Sequence, residues 1–442
     1  MAFCRRCCMC FCLFLLLLVY LFVYVVVTIS YQMNPTPTEL PIYFVAPGVS
    51  PLTLLAERPF WNVKLDDSAL WNRLQHLLDR DCNPILRQQN ITTGAIRAEL
   101  QKGPGSGLQS LDPFSEVKKS FPKNIQEFLQ SMHSREYPLI IGQSKLCSGE
   151  APLLLLAIKS QECNIRNREA IRETWGSRGL VTGEVGEGGV VHRLFLLGRQ
   201  DRSPQSCPLS NDHLAEESMK YGDILQWDFR DTFYNLTLKD VLFWPWVLQH
   251  CPHARFIFKG DDDVFVRTPA LLDILQQVEQ LSKARGRNLD FVIGNVISDA
   301  FPVREVDEKY YVPQDFYAGK YPPYLGGGGV VYSGSLVMQL NEVSKRVHLF
   351  PIDDVFLGMC FYKLGIVPRS HPGFLTFDFP KEEAKNPCAY FSILLVHKRS
   401  PEETVLLWKI LQRIQTECLK QIPRNQIFLD EVHVRYTKKM MY

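Results

Sequence analysis

The chain has 442 residues, 46% of them hydrophobic, which is enough for one large domain or two ordinary ones. Its net charge is only +2, and no basic stripe with interleaved aromatics is present, so nucleic acid is excluded as a partner on electrostatic grounds. Aromatics reach 12%, which fits buried rings and also the aromatic faces that bind sugars.

Residues 11–29, FCLFLLLLVYLFVYVVVTI, carry no charge over 19 positions, long enough to span a bilayer as a helix. Arg5 and Arg6 precede the run, and no charge follows until Glu39, which places the amino terminus in the cytosol. The length, and the lack of a small-residue cleavage site, favour an uncleaved anchor over a signal peptide. The expected organisation is a tail at 1–10, an anchor at 11–30, a partly helical lumenal stem at 31–145, a catalytic domain at 146–425 and a C-terminal extension at 426–442. Within the stem, residues 31–55 are proline-rich and should be extended. Leu70, Leu74, Leu77 and Leu78 have helical spacing. Asn90 and Asn235 each begin an N-x-T glycosylation acceptor.

Past residue 145 short apolar runs alternate with helical patterns. The runs at 151–160, 192–198, 223–229, 255–263 and 291–297 read as strands, and 167–176 and 237–251 as helices. That alternation predicts an α/β domain with a mostly parallel central sheet. There is no internal repeat, no G-x-G-x-x-G after a strand and no Walker sequence.

Thirteen cysteines fall in two groups. Five crowd the amino terminus, as acylation sites or as plain reduced thiols. Eight, from Cys82 to Cys418, are scattered without zinc-type spacing, and an even number in a lumenal chain fits disulfides.

Several clusters could carry chemistry. Asp261, Asp262 and Asp263 follow the strand-like Phe256–Phe258, where open α/β sheets place ligands. Adjacent carboxylates repel unless a cation or solvent relieves them; an acidic turn is the plain alternative. Arg168 and Arg172 lie four apart on one helix face and suit a diphosphate, or else pair with Glu169 and Glu173. Gly326–Gly329 allow close backbone approach, by a ligand or as a hinge. Asp353 and Asp354 open a helical run, either as an N-cap or with a general base among them. His397 ends an apolar run, where a lone histidine is usually structural.

The order REAIRETWG, FLLG, YGDILQWDF, NLTLK, FKGDDDVF, YPPYLGGGG, IDDVFLGMC and LLVH resembles the Golgi β1,3-glycosyltransferases of the galactosyltransferase/N-acetylglucosaminyltransferase superfamily. The resemblance covers about residues 150–415. IDDVFLG, where galactosyl members typically carry E-D-V-Y-x-G, is similar to the N-acetylglucosaminyltransferase branch that extends poly-N-acetyllactosamine. A β1,3-galactosyltransferase using UDP-Gal, and a non-catalytic membrane-anchored glycan-binding protein, are the alternatives. The resemblance implies a GT-A type nucleotide-sugar-binding sandwich behind a single transmembrane helix and a stem, residing in the Golgi membrane as a single-pass type II protein with its catalytic domain lumenal. It implies Mn2+ as cofactor, UDP-GlcNAc as donor and galactose-terminated glycans on glycoproteins or glycolipids as acceptors. Association with itself or with other Golgi transferases stays open. It implies Asp263 and His397 as metal ligands and Asp354 as the catalytic base. Arg168, Arg172, Lys159, Asp261, Asp262, Gly327 and Gly328 are implied donor contacts, and Tyr324 and Asp353 acceptor contacts.

Overall fold

Six consecutive residues, Leu154–Lys159, are completely or almost completely buried, and they form the strand from which the domain is built. In a computed structural model, Leu21 and residues 69–82, 120–200, 211–286, 290–379 and 385–418 are described. The expected cytoplasmic tail at 1–10, nearly all of the expected anchor at 11–30, Asn90 and the expected extension at 426–442 lie outside them. Among the described residues no helix is long and apolar enough to cross a membrane.

The chain runs α1 (Leu70–Cys82), α2 (Lys123–Ser131), β1 (Leu139–Ile141), β2 (Leu154–Lys159), α3 (Ile165–Glu173), β3 (Gly179–Val181) and β4 (Gly189–Arg199). It continues through α4 (Asn211–Tyr221), β5 (Ile224–Arg230), α5 (Leu236–His250), β6 (Phe256–Asp261), β7 (Val264–Val266), α6 (Thr268–Ala284) and β8 (Val292–Ile297). Then follow β9 (Tyr324–Ser333), α7 (Val337–Ser344), α8 (Asp353–Leu364), β10 (Arg369–Ser370), β11 (Phe374–Leu375), β12 (Leu395–His397) and α9 (Pro401–Cys418). The main sheet has the order β1-β5-β4-β2-β6-β9-β8-β10, with β3 on β4. Strands β5, β4, β2 and β6 are parallel, and β9 runs antiparallel to both β6 and β8. The expected strands and helices between 151 and 297 all form; the Gly-rich run was not read as a strand, yet it is the center of one.

The sheet separates two apolar cores. One face packs against α5, α7 and α8, the other against α3, α6, α9 and the small sheet β11-β12-β7. This is the layered α/β architecture that the alternating pattern dictates. Helices α1 and α2, expected in the stem, also belong to the first core: Trp71 and Ile125 are fully buried. The folded unit therefore begins no later than Ala69, because α1 would otherwise expose Leu70 and Trp71.

Cys147 pairs with Cys251, and Cys388 with Cys418; Cys163 is disulfide-bonded too. Cys360 is free and buried inside α8, so the eight cysteines beyond the amino terminus do not all pair as an even number suggested.

Candidate active site

Strand β6 ends at Asp261 in the middle of the sheet, in register with Lys159 on β2. The chain turns at once into β7, which pairs with β12 so that Val264 opposes His397. This tight reversal brings one end of the acidic run against the histidine: His397 Nε2 lies 3.4 Å from Asp263 Oδ1. One ligand atom each from Asp261, Asp263 and His397 falls within 4.8 Å of the others.

The electrostatics show why these groups suit a cation. Burial, then the carboxylates of Asp353 and Asp263, push Asp261 above its ordinary range. Burial also opposes charge on Asp263, but the His397 imidazole holds that carboxyl below its usual range. His397 is raised in turn: burial lowers it, and Asp263 outweighs burial. Two carboxylates and one imidazole form a donor set that fits a divalent transition ion such as manganese. The backbone makes room for it. Gly328 has φ +78°, and a Cβ there would come within 3.2 Å of His397 Nε2.

Asp262 faces elsewhere. Its Oδ2 accepts from Asn164 Nδ2 at 3.0 Å, and its backbone carbonyl accepts from Asn167 Nδ2 at 3.1 Å. Burial pushes its carboxyl up to about 6. It ties the acidic turn to the start of α3 rather than to a donor.

Beside the acidic turn lies a buried charge cluster. Lys259 Nζ is 2.9 Å from Asp240 Oδ2, 3.2 Å from Asp353 Oδ2 and 3.8 Å from Asp354 Oδ1. Lys159 pairs with Asp353 and lies 3.5 Å from Asp240 Oδ2. Two ammoniums and two carboxylates thus balance, and Asp354 is the surplus acid. Burial alone would raise Asp353, but Lys159 and Lys259 hold it well below the carboxylate range. Asp354 goes the other way: burial, then the Asp353 charge, push it up to about 7. Neither is the N-cap of α8; Ile352 holds that position, so both acids sit in the first turn, where the helix dipole favours negative charge. The Asp354 side chain keeps 32% exposure and faces solvent as a base must. Burial and the nearby Asp354 charge raise the half-buried Tyr324 phenol to about 12.

Several expected donor contacts are occupied by the protein itself. Arg168 is completely buried; its guanidinium donates to both oxygens of Glu217, at 2.8 and 2.7 Å, and to Ser160 Oγ and Glu162 O, each at 3.0 Å. Arg172 clamps Asp223 at 3.0 and 2.8 Å, with Nη1 2.7 Å from Glu217 Oε1. Neither is free to meet a diphosphate, because an exposed helix face was assumed where α3 is in fact packed. Lys159 is 3% exposed and spent on Asp240 and Asp353. Gly327 and Gly328 are buried: side chains there would strike Thr376 and Val264, so their lack of Cβ serves close packing of β9. Asn235 is 9% exposed, and its Nδ2 donates to Arg230 O at 2.9 Å, leaving one N–H for a glycan.

Sequence reading missed Asp240 and Lys259. Both left a signal: Asp240, next to Lys239, and Lys259 are charges inside mostly apolar elements, α5 and β6, which implies buried partners. It also missed Tyr310, whose phenol is raised by burial and then by the carboxylates of Asp354, Asp261, Asp353 and Asp263. Its ring packs edge-on against Phe233 at 5.4 Å.

The acid turn at the end of β6, His397 beside it and the raised Asp354 in the first turn of α8 form an arrangement that fits a glycosyltransferase. The family model described as Galactosyltransferase matches residues 166–372, a span that holds Asp261, Asp262, Asp263, Asp353 and Asp354 but neither Lys159 nor His397. The N-acetyllactosaminide beta-1,3-N-acetylglucosaminyltransferase 2 of Mus musculus is 44% identical over 83% of this chain and 90% of its own length. The Homo sapiens protein of the same name is 41% identical over the same shares. The UDP-GlcNAc:betaGal beta-1,3-N-acetylglucosaminyltransferase 7 of Rattus norvegicus is 41% identical over 67% of this chain and 73% of its own. The chain belongs to the β1,3-N-acetylglucosaminyltransferase family.

Proposed function

We propose that the chain transfers N-acetylglucosamine from UDP-GlcNAc to the 3-hydroxyl of a terminal β-galactose, with inversion, extending N-acetyllactosamine chains. The observation that carries this reading is the pairing of a cation-fitting Asp261–Asp263–His397 group with a raised, partly exposed Asp354. Asp263 and His397 would hold Mn2+, with Asp261 toward the donor. When bound, the ion stabilises the negative charge of the departing diphosphate. Asp354 takes the proton of the acceptor 3-hydroxyl as that oxygen bonds to C1 of the sugar. The C1–O bond to UDP breaks on the opposite face, and the α-linked donor becomes a β1,3 product. Tyr324 beside Asp354 forms part of the wall that orients the acceptor.

The charged anchor flank and the disulfides Cys147–Cys251 and Cys388–Cys418 support a Golgi-membrane protein whose domain folds in an oxidising lumen. The description of the matching family model favours UDP-Gal as a second donor reading. Incubation with Mn2+, N-acetyllactosamine and either UDP-GlcNAc or UDP-Gal separates the two. GlcNAc transfer is expected, and transfer of galactose alone would overturn the donor assignment.

A further inference from the structure

Residues 345–352, immediately before the base, form no helix or strand. Their backbone is held from outside, by residues far earlier in the chain. Gln75 Nε2 donates to Arg346 O at 2.9 Å, and Gln75 Oε1 accepts from His348 N at 2.9 Å. Arg135 Nη2 donates to Val347 O at 2.6 Å. Trp71 Nε1 donates to Leu349 O at 3.0 Å. Four successive residues are thus fixed by side chains of α1 and of the segment after α2. Phe350, whose carbonyl accepts from Thr237 Oγ1 of α5 at 2.7 Å, Pro351 and Ile352 follow, and then Asp353 and Asp354 open α8.

The first turn of α1 also holds the segment 315–318, which leads through stacked tyrosines to Tyr324. Leu70 N and Trp71 N, which no helical carbonyl could satisfy, donate to Asp315 O and Phe316 O, each at 2.8 Å. Asn72 Nδ2 donates to Ala318 O at 2.8 Å. The Trp71 ring meets Tyr317 edge-on at 5.5 Å and Phe350 at 5.6 Å. Tyr317 lies 5.3 Å from Tyr321, and Tyr321 6.2 Å from Tyr324. No α1 residue enters the Asp261–Asp263–His397 group, which is built by β6, β7 and β12.

We propose that α1 is a positioning element for catalysis: Trp71 and Gln75 set the placement of Asp354 relative to the acceptor wall. The inference rests on Asp354 being the base. It assigns to the membrane-proximal part of the chain a role in the chemical step, with none in donor binding. Displacing a general base by a fraction of its hydrogen-bond length costs rate without altering the groups that bind the donor.

Trp71→Phe in the full chain tests it: the N–H on Leu349 O is lost while a smaller aromatic ring stays against Tyr317 and Phe350. Gln75→Met is the second variant; it fills a similar volume without a charge and loses the bonds to Arg346 O, His348 N and Asp79 Oδ1 together. The expected result is a fall in kcat of about tenfold to 100-fold, with the KM for UDP-GlcNAc unchanged. Amide exchange should quicken across residues 352–357 and stay unchanged across 256–263. A lowered melting temperature with kcat unchanged would overturn the proposal, because α1 would then be structural only. Unchanged exchange across 352–357 in both variants would overturn it whatever the activity. Absence of GlcNAc transfer by the unaltered chain would instead defeat the functional reading, and the exchange measurement would still decide the positioning.

Discussion

Lys259 on β6 and Asp240 on α5 meet at 2.9 Å, and both are almost wholly buried. Their pairing links the strand that ends in the acidic turn to the helix behind it. Removing one partner strands a charge. Asp240→Asn leaves Lys159 and Lys259 facing Asp353, with only the more distant Asp354 beside them, and should cost about 3–5 kcal/mol of stability in denaturant unfolding. The double change Asp240→Leu with Lys259→Met leaves Lys159 with Asp353 and should recover most of that loss. A single variant as stable as the parent would show that the pair is not isolated from solvent.

Asp354→Asn should reduce turnover by about 10²–10⁴ while UDP binding in the presence of Mn2+ is retained. The unaltered enzyme should gain activity as pH rises through about 7, because burial and Asp353 raise the Asp354 carboxyl to that value and only its ionised form accepts a proton. The residual rate of Asp354→Asn should lack this rise. Equal loss of turnover and UDP binding would count against the assignment.

Asp263→Ala and His397→Ala should abolish the manganese dependence of UDP binding, read by calorimetry with and without the ion. Gly328→Ala should weaken the same dependence, since its Cβ would intrude 3.0 Å from His397 Cδ2 at a φ of +78° that alanine disfavours. Manganese-dependent binding that is undisturbed in Asp263→Ala would remove that residue as a ligand.

Acid should loosen the α1 contact. Burial, with the Arg135 and His133 charges, lowers His348 from 6.5 to about 4. Between these values the unfolded chain binds the extra proton, so stability is complete above 6.5 and falls as pH drops toward 4. The contribution at stake is up to about 3 kcal/mol. Thermal melts from pH 7 to pH 5 should steepen in the parent and flatten in His348→Gln. Parallel curves would show that folding leaves the His348 pKa unshifted.

Strands β2, β4, β5, β6 and β8 and helices α3 and α5 were legible because each buries a continuous apolar run or one apolar stripe, whereas β3, α4 and α6 were not read. The charges of the site were legible in part. Asp263 and His397 stand more than 130 residues apart, and only the β7–β12 pairing joins them. The arginines of α3 misled because helical spacing reports a shared face and not what covers it; Glu217 and Asp223 come from beyond the next strand. The glycine run was read as a surface because four glycines are costly without a reason. Their reason is the crowding of β9 by Phe258, Ile297, Thr376 and Leu395, all from other strands or loops. The reach of α1 into the core was hidden by the poorly patterned residues on either side of it.

That crowded strand limits how the family can diversify. Residues 326–329 contribute backbone alone to the ground beside the histidine, and a side chain at any of them would collide with a neighbour. A buried backbone without side chains cannot be edited by substitution. Any sugar preference of the proposed site would then have to be set at more open positions such as Tyr310, 45% exposed, and the half-buried Tyr324. Changes confined to such positions can redirect selectivity and leave the cation group and the base untouched.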